Sequence, residues 1–245
     1  MSTNYDPIAE QYRLCKYQPW RVYIEGNTLM QTIGNNKDLD ILDIACGEGF
    51  YTRMLKQRGG RRVTGVDLSA HMVDLARRQE EMLEQGIEYV AGDACKLPAT
   101  ADYDLATAAY FLNYAHTRDE LQSMCDSIAG VLKPGGRFVT VNSNPACDFS
   151  KAPSYRKYGF DAQAAGEWKE GCPIRWTFYL EQGPFDIENY WLDTALHEDA
   201  LRSAGFRDVR WQQPRVSSEG LREKGRDYWA EFIDTPPITF LECIR

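Results

Sequence analysis

The 245-residue sequence contains only three histidines, and none of its seven cysteines forms a C-x-x-C pair. An odd cysteine count without that spacing argues against a disulfide framework or a zinc site, and it favours a reducing compartment. The N-terminus lacks the basic start and apolar stretch of a secretory signal. No apolar run approaches the ~20 residues that span a bilayer. We therefore expect a cytoplasmic protein with no metal and no membrane segment.

Basic residues are outnumbered by acidic ones. There are 28 lysines and arginines against 36 aspartates and glutamates, which gives a formal net charge of −8. Because nucleic-acid binding depends on a basic face, this balance argues against a nucleic-acid partner. Hydrophobic residues make up 43% of the chain, which is enough for a sizeable core and argues against disorder.

Aromatic residues are scarce in the middle of the chain. Only eight of the 30 lie between Asp40 and Asn142, and all six tryptophans lie in the flanks. The middle of the chain therefore presents a different kind of surface from its flanks.

The aromatic-poor middle alternates between strand-like and helix-like segments. Strands are predicted at 41–45, 62–66, 87–91, 103–109 and 137–142, and helices at 48–57, 69–85 and 117–132. Strands separated by helices of about 10–17 residues predict βαβ units and a parallel sheet. Residues 144–173 show no clear period. Beyond them we predict a hairpin from 174–181 and 185–192, a helix at 197–204 and strands at 206–212 and 238–244.

The strongest motif is Leu42-Asp-Ile-Ala-Cys-Gly-Glu-Gly49, in which a strand runs into a turn with two glycines. Glycine lets the backbone approach a ligand closely. Asp43 stands at the end of that strand, where ligands bind in open parallel sheets. Asp67 follows 24 residues later, at the tip of the second strand, where its carboxylate can accept both hydroxyls of a ribose. The pair predicts a nucleoside-binding crevice.

These residues distinguish between a dinucleotide and S-adenosylmethionine as the bound nucleoside. A dinucleotide site needs G-x-G-x-x-G, and Phe50 occupies the place of the last glycine. Asp43 would repel a pyrophosphate, but it suits a ligand that carries an ammonium group. S-adenosylmethionine has an ammonium group, a ribose and an adenine, and it has no phosphate. A nicotinamide-dependent oxidoreductase remains the alternative, with Phe50 against it.

With these motifs the chain resembles the class I S-adenosylmethionine-dependent methyltransferases. Their acidic residue and small-x-Gly-x-Gly pattern correspond to Asp43, Ala45, Gly47 and Gly49, with Ala45 in place of the more usual glycine. The resemblance covers about residues 40–142. It implies an α/β, Rossmann-like fold in which a mostly parallel seven-stranded sheet carries helices on both faces. The implied parts of this single domain are an N-terminal helical lid (1–39), a cofactor-binding core (40–142), a substrate-binding insertion after strand five (143–195) and a C-terminal helix with strands (196–245).

The resemblance also implies which residues hold the cofactor. Asp67 corresponds to the acid that binds the ribose, and the segment around Asp93 corresponds to the one that meets the adenine amine. Tyr12, with Arg21 or Lys16, belongs to an N-terminal cap that closes over the cofactor's amino-acid end. The implied cofactor set is Tyr12, Arg21, Asp43, Ala45, Gly47, Gly49, Asp67, Leu68, Met72, Asp93, Ala94 and Ala109.

A closer resemblance rests on the flanks. The N-terminal segment, the stretch Ala200–Phe206 and the pair Tyr228-Trp229 together resemble bacterial N-methyltransferases of toxoflavin-type (azapteridine) biosynthesis. This implies N-methylation of a planar nitrogen heterocycle in secondary metabolism, by in-line displacement. A ring nitrogen needs little help from a base. An O-methyltransferase of another small metabolite and a non-catalytic, cofactor-binding regulator remain alternatives, and a monomer and a homodimer are both open.

Residues near the methyl acceptor are expected from the fourth strand and the flanks. Tyr110 and His116 follow that strand and are the catalytic candidates. An imidazole titrates near neutral pH, which suits a general base, but a residue just before a helix is usually exposed. The rings of Tyr5, Trp168, Trp176 and Tyr179 are predicted to enclose the acceptor, with a place in the core as the alternative.

Overall fold

A seven-stranded sheet forms the centre of the fold that a computed structural model describes for residues 9–245, with side chains from Gln11 onward. Its strands are β1 (Asp40–Ile44), β2 (Arg62–Asp67), β3 (Ile87–Ala91), β4 (Tyr103–Ala109), β5 (Leu132–Ser143), β9 (Arg207–Gln212) and β10 (Ile238–Ile244). They follow the order β3-β2-β1-β4-β5-β10-β9 across the sheet. The first five strands run parallel, and β10 lies antiparallel between β5 and β9. The predicted mostly parallel seven-stranded sheet is confirmed.

Helices connect the strands and cover both faces of the sheet. Ser69 and Thr117 cap the two long helices by accepting backbone N–H groups of Met72 and Glu120, as the sequence predicts. The helices are α1 (Ala9–Cys15), a π-helical segment (Arg21–Gly26), α2 (Asn27–Ile33), α3 (Phe50–Gln57), α4 (Ala70–Leu83), α5 (Arg118–Val131), α6 (Thr194–Ser203), α7 (Ser218–Lys224) and α8 (Arg226–Asp234). Among them, none combines the length and apolar character that crossing a membrane requires.

A second, three-stranded antiparallel sheet occupies the region between β5 and α6. It comprises β6 (Phe160–Ala164), β7 (Cys172–Leu180) and β8 (Gly183–Trp191), and β7 and β8 form the predicted hairpin. The strand β6 and the helices α7 and α8 are absent from the sequence-based prediction. Apolar side chains alternate with polar ones along β7, so one face of this sheet is buried and the other faces solvent.

The aromatic residues of the flanks build a core of their own. The Phe160 ring lies 4.6 Å from that of Trp20, 5.3 Å from that of Tyr155 and 5.5 Å from that of Trp176, measured between ring centres. These fully or almost fully buried rings join the N-terminal segment to the second sheet, and Phe232 of α8 packs on Phe160 with 6.2 Å between ring centres. Most of the stabilisation in this part of the molecule therefore comes from ring burial and ring packing.

Candidate functional site

The glycine motif folds into a tight turn between β1 and α3. Ala45, Gly47 and Gly49 all have positive φ, at 54°, 56° and 83°. A Cβ at Gly49 would lie 2.3 Å from the hydroxyl oxygen of Tyr89, so this position has no room for a side chain. Around Gly47 nothing comes within 4 Å of a Cβ position, so its backbone borders open space. The turn thus places its backbone beside open space at the carboxyl ends of the parallel strands.

Asp67 holds this turn from the end of the neighbouring strand β2. One carboxylate oxygen accepts the N–H of Gly47 at 2.7 Å, and the other accepts the N–H of Ser69 at 2.9 Å. Asp67 therefore fixes the shape of the turn and also faces the cavity described below.

Asp43 is a carboxyl group removed from water at the end of β1. Its side chain is 2% exposed, and the Thr52 hydroxyl donates to it at 2.6 Å. Burial raises the pKa of Asp43 to about 7, although the Thr52 hydrogen bond and the charge of Lys16 act in the opposite direction. The group is thus partly protonated near neutral pH, and a further cation beside it would favour the ionised form.

Two adjoining cavities border the motif. The smaller, of about 20 Å³, is lined by Asp43 and Lys16 together with the turn. The larger, of about 470 Å³, runs from the turn to the start of α5. Of the cofactor residues that the sequence predicts, Tyr12, Ala45, Gly47, Asp67, Leu68, Met72, Asp93, Ala94 and Ala109 line the larger cavity, and Asp43 lines the smaller. Gly49 shapes the turn without lining either cavity.

Asp93 faces the larger cavity from the loop after β3. Its carboxylate accepts the N–H of Cys95 at 3.0 Å and pairs with the ammonium of Lys96 at 3.0 Å. The hydrogen bond from Lys96 and that from Cys95 lower the pKa of Asp93. An ionised acceptor is thereby fixed beside the apolar Ala94.

Arg21 and Lys16 occupy different environments. Arg21 is buried against Glu25, with a guanidinium-to-carboxylate distance of 2.8 Å, and it is not among the residues that line the two cavities. The Lys16 ammonium lies in the smaller cavity, 5.0 Å from the ring centre of Tyr12 and 5.1 Å from that of Tyr51. Of the two cations that the sequence leaves open, Lys16 is the one that shares a cavity with Asp43.

The two catalytic candidates both line the larger cavity. The Tyr110 hydroxyl, however, donates to the buried carboxylate of Glu25. Burial and the charge of Glu25 raise the pKa of Tyr110 well above its ordinary value. His116 is exposed, and its ring packs on that of Tyr190 with 4.5 Å between ring centres.

The rings predicted to enclose an acceptor lie elsewhere. Trp176 is buried among core rings, Trp168 packs on Trp191 at 4.4 Å, and the Tyr179 hydroxyl donates to Asp161 at 3.0 Å. None of the three is among the residues that line the two cavities, and Tyr5 lies outside the described residues. The aromatic residues that do line the larger cavity beside Tyr12, Tyr110 and His116 are Phe111, Tyr114 and Tyr190.

Phe111 lies in the segment after strand four that the family resemblance already associates with the methyl-transfer site, whereas Tyr114 and Tyr190 are not predicted from the sequence. Tyr114 follows the same strand within four residues of Tyr110, so its position was a usable signal. Tyr190 comes from β8, whose orientation depends on how the second sheet packs. Among the side chains that the structure describes, from Gln11 onward, no three His, Cys, Asp or Glu lie close enough together to hold a metal ion.

Comparison with known proteins agrees with this geometry. The family described as a methyltransferase domain is matched over residues 41–136. A ubiquinone/menaquinone biosynthesis C-methyltransferase of Desulfotalea psychrophila is 30% identical over 223 residues, which are 89% of this chain and 84% of that protein. An N-demethylindolmycin N-methyltransferase of Streptomyces griseus is 25% identical over 169 residues, 69% of this chain and 70% of that one.

Other comparisons bear on coverage and on the fold. A demethylmenaquinone methyltransferase of Lactococcus lactis is 31% identical over 148 residues, which are 59% of this chain and only 56% of that protein. An S-adenosylmethionine-dependent methyltransferase structure from Mesorhizobium loti superposes with a TM-score of 0.66 at 20% identity, covering 94% of this chain and all of that one. The chain belongs to the class I S-adenosylmethionine-dependent methyltransferases.

Proposed function

We propose that the chain transfers the methyl group of S-adenosylmethionine to a nitrogen atom of a small, planar heterocycle. The observation that carries the proposal is the continuity of the larger cavity. The turn and Asp67 line it, and so do several aromatic side chains, including Tyr114 and Tyr190. A flat ring suits such walls because stacking and apolar contact stabilise it there.

The charges of the smaller cavity support the placement of the cofactor's amino-acid end. Asp43 and Lys16 are both buried and share this cavity, so it offers an anion and a cation to a zwitterion. Asp67 would hold the ribose, and Leu68, Asp93 and Ala94 would border the adenine. When bound, S-adenosylmethionine supplies a methyl group on a sulfonium, which is a good leaving group.

The chain's own contribution is then alignment and the exclusion of water. Tyr110 does not serve as a base, because its hydroxyl is already committed to Glu25. A nitrogen that carries its own lone pair needs no such base, which favours an N-acceptor. The Streptomyces griseus relative is named as an N-methyltransferase, whereas the Desulfotalea psychrophila relative is named as a C-methyltransferase.

Two other functions are alternatives to N-methylation. His116 lines the larger cavity, so an O-methyl acceptor with an imidazole base is the second candidate. A cofactor-binding regulator without transferase activity is the third. Among nitrogen heterocycles, an azapteridine of the toxoflavin type is the first acceptor to test, and the resemblance of the flanking segments supports that choice.

The proposed function predicts saturable binding of S-adenosylhomocysteine, measured by isothermal titration calorimetry. Asp67→Ala should weaken binding at least tenfold because it removes both the ribose acceptor and the support of the Gly47 turn. Labelled S-adenosylmethionine incubated with a panel of planar N-heterocycles and matched phenols should label a nitrogen, as located by mass spectrometry. Labelling confined to phenols would favour the second candidate, and binding without any transfer would favour the third.

Asp43→Asn should change the stability of the protein and its affinity for S-adenosylhomocysteine in opposite directions. Because the folded chain raises the Asp43 pKa to about 7, the protonated side chain favours folding at low pH, and that contribution is lost as pH rises toward 7. At pH 8 the variant should therefore be more stable to urea by roughly 1–4 kcal/mol, with no difference below about pH 4. Its affinity for S-adenosylhomocysteine should fall at least tenfold. A less stable variant at pH 8, or one with unchanged affinity, would contradict this account.

Tyr190 and Tyr179 give opposing predictions for the acceptor. If the acceptor binds in the larger cavity, Tyr190→Ala should raise the KM of the acceptor found in the screen about tenfold, because Tyr190 lines that cavity. The affinity of the same variant for S-adenosylhomocysteine should stay within twofold of the wild-type value. Tyr179→Ala should then leave that KM unchanged, because Tyr179 bonds to Asp161 away from the cavity. A raised KM in Tyr179→Ala and an unchanged KM in Tyr190→Ala would instead support the acceptor pocket that the sequence predicts.

A further inference from the structure

Glu25 is a fully buried carboxylate behind the walls of both cavities. It lies in the π-helical segment of the N-terminal region and has no solvent exposure. Both of its oxygens are occupied: Arg21 donates to them at 3.0 and 2.8 Å. The hydroxyls of Tyr51 and Tyr110 donate to one oxygen each. Single π-helical turns within helices often mark functional positions.

The charge of Glu25 is held in place by these partners. Burial alone would raise its pKa, but Arg21, Lys16 and the two tyrosine hydroxyls together lower it. The carboxylate is therefore ionised, and both phenols remain protonated donors because burial and the charge of Glu25 raise their pKa. The direction of each hydrogen bond is thereby fixed.

The three donors belong to separate parts of the chain. Arg21 belongs to the N-terminal segment, Tyr51 to α3 and Tyr110 to the turn after β4. The Tyr51 side chain lines the smaller cavity and that of Tyr110 the larger one. One carboxylate thus links the N-terminal segment to a wall of each cavity.

Several contacts besides the Glu25 bond define the position of Tyr110. Its φ of 66° is uncommon for a residue with a side chain and is held by an N–H bond to the Val141 carbonyl at 2.8 Å. The ring is flanked by Trp176, 6.5 Å away between ring centres, and by the Arg21 guanidinium at 5.4 Å. The hydroxyl bond to Glu25 fixes its far end.

We infer that Glu25 is a positioning residue for methyl transfer, acting through the Tyr110 hydroxyl to hold the Tyr110 ring as a fixed wall of the larger cavity. This inference rests on the proposed function. A purely structural role would make Glu25 matter for stability alone. A positioning role makes ligand affinity depend on the Glu25–Tyr110 bond, because a displaced wall alters the site at the scale of an ångström.

The test compares S-adenosylhomocysteine affinity by calorimetry in Glu25→Gln, Tyr110→Phe and the double variant. Tyr110→Phe keeps the Arg21–Glu25 ion pair, so it remains informative if the loss of that pair prevents Glu25→Gln from folding. The matched control is Tyr155→Phe, which removes another buried hydroxyl, bonded to the Thr235 carbonyl at 2.7 Å and not lining either cavity.

We expect each single variant to weaken affinity about tenfold and the double variant to be no weaker than Glu25→Gln alone, because both remove one interaction. Tyr155→Phe should lower the Tm without changing affinity by more than twofold. Wild-type affinity in Tyr110→Phe, or a double variant weakened by the product of the two effects, would overturn the inference. If the wild-type protein bound no S-adenosylhomocysteine, the proposed function itself would fall, and this inference with it.

Discussion

The withdrawal of the Asp43 carboxyl group from water is the constraint on which the site depends. Its place at the end of the buried strand β1, in the middle of the parallel sheet, leaves the Thr52 hydroxyl as its hydrogen-bond partner. Burial raises its pKa to about 7 although Lys16 shares its cavity, so the group is partly protonated at neutral pH. In the proposed function, the stability lost at neutral pH gives a site that is complementary to an ammonium group. Lys16 in the same small cavity would then supply the opposite charge for the other end of the zwitterion.

The rest of the molecule encloses this centre. The sheet brings the tips of β1, β2 and β4 to one edge, so Asp43, Asp67 and Ala109 border the same pair of cavities. The aromatic flanks contribute mainly a core, in which Phe160 and its neighbours hold the second sheet and the C-terminal helices together. Only some rings, such as Tyr190, reach the larger cavity. The acidic net charge of −8 is consistent with a small acceptor that carries no string of phosphates.

The middle of the chain was predictable because its signals are local. Strand periodicity, two glycines at positive φ and caps such as Ser69 act within a few residues of one another. The residues around the proposed acceptor were not predictable, because tertiary packing sets the face that a strand presents to a cavity. Trp176 and Tyr179 lie on opposite faces of β7, and sequence alternation alone does not identify the face that meets the sheet. The partner of Arg21 could have been found, since Glu25 stands four residues later at ion-pair spacing on a helix.

The most direct test is proton release on binding. With an Asp43 pKa of about 7, much of the free protein carries a proton on this group at pH 6.5. Placing the ammonium of S-adenosylhomocysteine beside it should expel that proton. Calorimetric titrations at pH 6.5 in two buffers of different ionisation enthalpy should show release of roughly half to one proton per ligand, and Asp43→Asn should abolish the release. Binding of the wild-type protein without proton release would contradict the assignment of Asp43 as the group that receives the ammonium.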